Sequence, residues 1–182
     1  MGWDDLDYLT IKEFFKDTFK YLLVILGVLL IVIYLFTLEQ VVGPSMSPNL
    51  KSGDIVLLNK FVYKFKDIKR GDIVSLNYAD TKYLIKRVIG LPGEYVEIKN
   101  NKVYIENKIL KEYYLSDIEM KDFSIKDLGY DTIPKDMYLV LGDNRSNSLD
   151  SRDPKVGLIE KKDIVGRVKF RIWPLNKIGK VD

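Results

Sequence analysis

KYLIKRVI, residues 82 to 89, is the stretch from which the rest of the chain can be read. It is rich in branched and aromatic side chains, which favour an extended, pleated backbone. Extended, it puts Leu84, Lys86 and Val88 on one face and Tyr83, Ile85, Arg87 and Ile89 on the other. Similar segments recur along the chain: DIVLLNK at 54 to 60, DIVSLNY at 72 to 78, MYLVL at 137 to 141 and DIVGRVKFRIW at 163 to 173, each bounded by turn residues. Residues 94 to 110 alternate apolar and polar positions around Asn100-Asn101, the signal of a hairpin. Short strands with no long helical pattern between them predict a mainly β body built on antiparallel sheet. Residues 111 to 135 are more polar and irregular and are expected to leave the core as a surface excursion.

Before this body lies YLLVILGVLLIVIYLFTL, residues 21 to 38, an uncharged run of 18 residues. At 1.5 Å per residue, that is close to the length needed to cross a hydrocarbon core of about 30 Å, so one transmembrane helix is expected. A cleaved signal peptide is the competing reading, but FTLEQVV contains no pair of small residues at which to cut. Lys12, Lys16 and Lys20 precede the run and only Lys51 follows within residues 39 to 58, which predicts a cytoplasmic N-terminus and an extracytoplasmic body. The expected layout is thus a cytoplasmic segment at 1 to 20, a single-pass span at 21 to 38 and a folded domain at 39 to 182. Tyr8, Ile11, Phe15 and Phe19 recur at helical spacing, so the first segment either lies along the inner membrane surface or continues the anchor helix.

Composition narrows the chemistry. The chain has 182 residues, 0 His, 0 Cys and a net charge of +3. Residues 1 to 20 hold three Lys against five acids, a net of −2, which leaves +5 for the remainder. That excess is interspersed with acids; it suits a body near anionic lipid and gives no argument for nucleic acid. Without His or Cys, a tightly held zinc or copper site is not expected, and a nucleophilic serine must find another base.

Ser45 raises that question. It lies in VVGPSMSPNL, residues 41 to 50, directly after the apolar run, with Gly43 permitting close approach of a backbone and Pro44 fixing the chain before it. The plain alternative is a Ser/Pro linker. A lysine can serve as base if burial lowers its pKa from about 10.4 to about 7, a change of roughly 4 to 5 kcal/mol. Most lysines here occupy polar runs, whereas Lys86 has apolar neighbours on its own face. The alternative for Lys86 is a strand lysine whose ammonium reaches out to water. A third cluster, LGDNRSNSLDSRDPKVG at 141 to 157, carries the short polar and arginine side chains of a supporting hydrogen-bonded loop. Its Asp143, Asn144, Asn147, Asp150 and Asp153 also admit a calcium reading, against which Arg145 and Arg152 would compete.

Taken together, SMSPNL (45 to 50), RGDIV (70 to 74), IKRVIGLPGE (85 to 94), GDNRSNSLDSR (142 to 152) and FRIWPLNKIG (170 to 179) resemble the bacterial type I signal peptidases, membrane-anchored Ser-Lys proteases. The resemblance implies Ser45 as nucleophile and Lys86 as general base, Ser148 orienting the lysine, and Asp143, Asp150 and Arg152 supporting the site. It implies no metal or organic cofactor, preprotein signal peptides with small residues at −1 and −3 as substrates, and the lipid bilayer and secretion machinery as partners. Shallow substrate pockets are expected near Val41, Gly43, Met46, Leu84 and Ile85. Asn49, Glu94 and Ser146 depart from the family's usual Thr, Asp and Asp. Gly43 stands where some members carry a serine whose hydroxyl assists the oxyanion hole. Two other readings share parts of the pattern: a self-cleaving repressor-like Ser-Lys protease, which would need a DNA-binding domain in place of the span, and an anchored, non-catalytic β domain that binds peptides or envelope partners.

Overall fold

The computed structural model describes residues 3–78, 82–115 and 119–181, with the side chains of residues 3–9 and Lys82 outside the description. The chain divides into two compact units at Phe36/Thr37.

In the first unit, helix α1 runs unbroken over Trp3–Leu35. Its Thr10–Leu35 portion is long and apolar enough to cross a membrane. The expected cytoplasmic segment and the apolar run thus share one element. Ile11, Phe15 and Phe19 are exposed along it, and the Tyr8 side chain lies outside the described residues. The apolar run outlasts the helix by three residues: 36–38 already belong to strand β1, Phe36–Gln40. No glycine or proline marks that change, so composition alone could not place it.

The second unit is mainly antiparallel β, as expected. After β1 come β2 (Ile55–Asn59), a short helix α2 (Val62–Phe65), β3 (Ile73–Tyr78) and β4 (Lys82–Gly90). Then follow β5 (Val96–Lys99), β6 (Lys102–Ile105), β7 (Lys108–Ile109), β8 (Phe123–Ser124), β9 (Met137–Leu141), β10 (Ile159–Glu160), β11 (Ile164–Trp173) and β12 (Gly179–Lys180). Among the described residues one sheet is ordered β1-β2-β11-β3-β4-β9-β10, with β12 added to β11, and a smaller one is ordered β7-β6-β5-β8. Asn100 and Asn101 turn the β5–β6 hairpin with φ of 50° and 60°, the left-handed pair that a two-residue turn of matching twist requires. The expected excursion at 111 to 135 contains β8 and a 3₁₀ turn, Ile125–Leu128, capped by Ser124. Ile125 and Ile133 from this stretch enter the core of the smaller sheet with Val96, Ile98 and Val103, while residues 116–118 lie outside the described residues.

Two features of the larger sheet position the site. First, β11 pairs with β2 through Arg167–Trp173 and with β3 through Ile164–Val168, with three register shifts along its length. Such bulges bend a strand and increase its twist. β1 and β3 are separated by β2 and β11, a span of about 14 Å in a flat sheet, yet Ser75 Oγ donates to Glu39 Oε1 at 3.1 Å. The sheet therefore coils until β1 meets β3. Second, β4 pairs with β3 from Lys82 to Arg87, but with β9 only from Arg87 to Gly90. Its first half thus has one unpaired edge among the described strands.

Candidate active site

Ser45 sits on a loop fixed at both ends. Upstream, Val41 N–H donates to Asp54 C=O at 2.8 Å and Gly53 N–H to Val41 C=O at 2.9 Å. Downstream, Met46 and Leu50 are buried beside Val41, Val56, Ile73 and Ile85. Between them, Asn144 N–H donates to Ser45 C=O at 2.9 Å and Asn144 Nδ2 to Pro44 C=O at 3.2 Å, which stitches this loop to the one after β9. The Ser/Pro stretch is an ordered loop.

Lys86 is 2% exposed, and its Nζ lies 2.8 Å from Ser45 Oγ and 2.9 Å from Ile85 C=O. Burial lowers its pKa from 10.5 to about 8, with Asp150 and Asp143 working in the opposite direction. Alternation explains the burial: Lys86 pairs with Val74, and that face holds Val74, Leu76, Leu84 and Val88.

Asp143 and Asp150 are both buried and both held by arginines. Arg87 grips Asp143 with two bonds, Nε to Oδ1 at 2.8 Å and Nη2 to Oδ2 at 2.7 Å. Asn49 Nδ2 donates to Asp143 Oδ2 and to Tyr114 C=O, both at 2.9 Å, so the residue that departs from the family's threonine joins the Ser45 loop to this pair. Burial acts to raise the Asp150 carboxyl, but Arg152 at 2.8 Å and the Gly142 N–H at 3.0 Å prevail and hold it below its ordinary value. With these oxygens engaged by guanidinium groups, the loop is built as an ion-pair scaffold. Among the described residues no three acidic groups converge as a metal site would require.

Ser148 stands close to Ser45 across Gly142 without touching Lys86 in the described hydrogen bonds. A β-carbon placed on Gly142 would lie 2.2 Å from Ser148 Oγ and 2.5 Å from Ser45 C=O. Ser148 Oγ is buried and lacks a partner of hydrogen-bond geometry, although it is close enough to Asp150 to help lower that carboxyl.

The residues expected around a substrate divide. Val41, Met46 and Ile85 share one cluster, whereas Leu84 packs with the opposite face, because it pairs with Leu76 while Ile85 pairs with Ser75. Gly43 adopts φ of 83° with open space where a side chain would be. That left-handed backbone favours glycine, which gives a physical reason for the missing hydroxyl at this position. The Ser45 N–H has no internal acceptor among the described residues.

Several participants were not legible in the sequence. Glu112 binds Arg145 at 2.6 Å with both side chains nearly sealed, and the Tyr114 ring stacks 3.9 Å from the Arg87 guanidinium. Both come from the stretch expected to be a surface excursion. Its acid and aromatic content was the available signal. Glu39 and Ser75, joined across the coiled sheet, were also missed; an acid within FTLEQVV was the only hint.

Residues 11–173 match the family described as signal peptidase, peptidase S26. The signal peptidase I P of Bacillus subtilis subsp. natto is 42% identical over 163 residues, covering 86% of this chain and 88% of that protein. The signal peptidase IB of Staphylococcus aureus is 39% identical over 157 residues, covering 79% and 81%. A crystal structure of a signal peptidase I from Enterococcus faecalis V583 superposes with a TM-score of 0.50 at 35% identity, covering 56% of this chain and 97% of that one. A family match across most of the chain, relatives near 40% identity and a shared fold lead to one conclusion: the chain belongs to the signal peptidase family, peptidase S26.

Proposed function

We propose that this chain is a membrane-anchored serine endopeptidase that removes N-terminal signal peptides from exported preproteins at the outer face of the membrane, with Ser45 as nucleophile and Lys86 as base. The observation that carries this reading is the 2.8 Å contact between Lys86 Nζ and Ser45 Oγ, made by a lysine that is 2% exposed. A neutral amine at that distance takes the hydroxyl proton as Oγ attacks the carbonyl of the −1 residue. The resulting ammonium gives the proton to the leaving amine, and Lys86 then deprotonates the water that hydrolyses the acyl-enzyme. The unpartnered Ser45 N–H is oriented by its own fixed loop and stabilises the developing oxyanion.

The substrate binds extended along the unpaired edge of β4, adding main-chain hydrogen bonds beside Tyr83–Ile85. Small residues at −1 and −3 follow from the tight cluster of Val41, Met46 and Ile85 on that side. The anchor places residues 1–20 in the cytoplasm, by the lysines that precede the apolar run, and residues 39–182 outside. It raises the local concentration of a substrate whose own signal helix occupies the same bilayer, as it emerges from the secretion machinery.

The test uses the full chain in lipid vesicles with a preprotein substrate. Ser45→Ala and Lys86→Ala each abolish cleavage while the body retains its cooperative unfolding. Turnover retained by either variant removes that residue from the mechanism.

A further inference from the structure

Glu39 is a carboxylic acid whose environment satisfies only one of its oxygens. Oε1 accepts from Ser75 Oγ at 3.1 Å, whereas Oε2 is buried without a hydrogen-bond partner among the described residues. Burial raises its pKa above the ordinary carboxylate value, with the Ser75 bond acting the other way. A buried acceptor left empty is costly, so a donor that arrives with a ligand gains more there than at a solvated site.

Its position indicates which ligand brings that donor. Ser75 pairs in register with Ile85, and Ile85 C=O receives Lys86 Nζ. Glu39 precedes Val41 by two residues, and Val41 and Ile85 share one buried cluster with Met46. Ser75 and Ile85 thus share the face opposite Lys86, one register step along β4, and the Glu39–Ser75 pair adjoins the Val41–Met46–Ile85 cluster that flanks Ser45. In an extended peptide attacked at Ser45, the −1 and −3 side chains point to the same face, about 7 Å apart. With −1 beside Ser45, a −3 side chain on that face reaches along the Val41–Ile85 cluster, which the Glu39–Ser75 pair adjoins. The terminal torsion of a glutamate is soft, so a small rotation turns Oε2 toward an arriving group while Ser75 keeps its bond.

We propose that Glu39 is a specificity-determining residue, whose free carboxyl oxygen accepts a hydrogen bond from the hydroxyl of serine or threonine at −3 and so favours these over apolar side chains of equal size. This rests on the reading of Ser45 and Lys86 as the reacting pair. A site built to bind a hydroxyl discriminates against the analogue that lacks it, because its own polar group is then left empty.

The experiment compares two peptides with alanine at −1 that differ only at −3, threonine against the isosteric valine, using the full chain in vesicles. The expected parent preference is about tenfold in kcat/KM for threonine. Glu39→Leu loses the preference, its threonine-to-valine ratio falling to about one, while Glu39→Gln, which keeps an acceptor and the shape, retains part of it. Equal rates for the two peptides in the parent, or an unchanged ratio in Glu39→Leu, overturn the proposal. Should Glu39→Leu be inactive on both peptides, the parent and Glu39→Gln ratios decide. A parent that cuts neither peptide overturns the peptidase reading and this one with it, whereas a parent that cuts both equally overturns only the role of Glu39.

Discussion

Arg87 and Asp143 form a two-pronged ion pair in which the side chains are 2% and 0% exposed. Arg87 also donates to Gly71 C=O at 3.0 Å, and the Tyr114 ring covers its guanidinium. Removing one partner leaves a sealed charge with no counter-charge. Arg87→Met or Asp143→Ala is expected to lower stability by about 3 to 5 kcal/mol in urea titration. The double variant, with both charges replaced by apolar groups, loses less than the sum, because neither charge remains buried alone.

The protonation of Lys86 sets two pH dependences. As the proposed base it works only when neutral, so kcat/KM is expected to rise with pH through about 8, where burial has brought its pKa, and to level above that. Between about 8 and 10.5 the unfolded chain holds a proton that the folded chain has released, so stability also rises with pH across that window. Below about 8 both states are protonated and the fold bears the whole cost, roughly 3 kcal/mol. Lys86→Met is therefore expected to be inactive but more stable than the parent at pH 7, by up to about 3 kcal/mol. The gap closes as the pH approaches 10.5; a gap independent of pH would count against a buried, titrating lysine.

Gly142 tests the positioning of Ser45, the proposed nucleophile, without altering any group proposed to react. A methyl group there meets Ser148 Oγ and the Ser45 carbonyl at 2.2 and 2.5 Å, and one of them must move. Gly142→Ala is expected to reduce kcat about a hundredfold, since displacements near 1 Å in a reacting pair cost that much. Its effect on stability should stay within about 1 to 3 kcal/mol, measured by denaturant titration on the same preparation.

How much of this was legible in the sequence depends on what periodicity records. Alternation locates faces, and so it nominated Lys86, whose neighbours Leu84 and Val88 foretold its burial. The Asn100-Asn101 turn was readable because few residue pairs adopt left-handed backbone twice in succession. Distance between faces is another matter. Nothing in FTLEQVV or DIVSLNY says that the sheet coils through bulges in β11 until Glu39 meets Ser75. The end of α1 was hidden for a different reason: IVIYLFTL suits a membrane helix and a strand equally well, and the change at Phe36 carries no breaker. Glu112 and Tyr114 were obscured by the polarity of their surroundings, which masks the arginines they cover.

Neighbouring positions on β4, Lys86 and Arg87, carry the same formal charge and meet opposite fates. Their register against β3, Val74 with Lys86 and Ile73 with Arg87, assigns one to a buried site where its amine meets Ser45 Oγ and the other to the carboxylate of Asp143. A slip of one residue would set Arg87 opposite Val74 and Lys86 opposite Ser75, leaving a guanidinium that cannot act as a base where the amine belongs. Until β3 and β4 pair in that register, the chain does not hold its amine against Ser45.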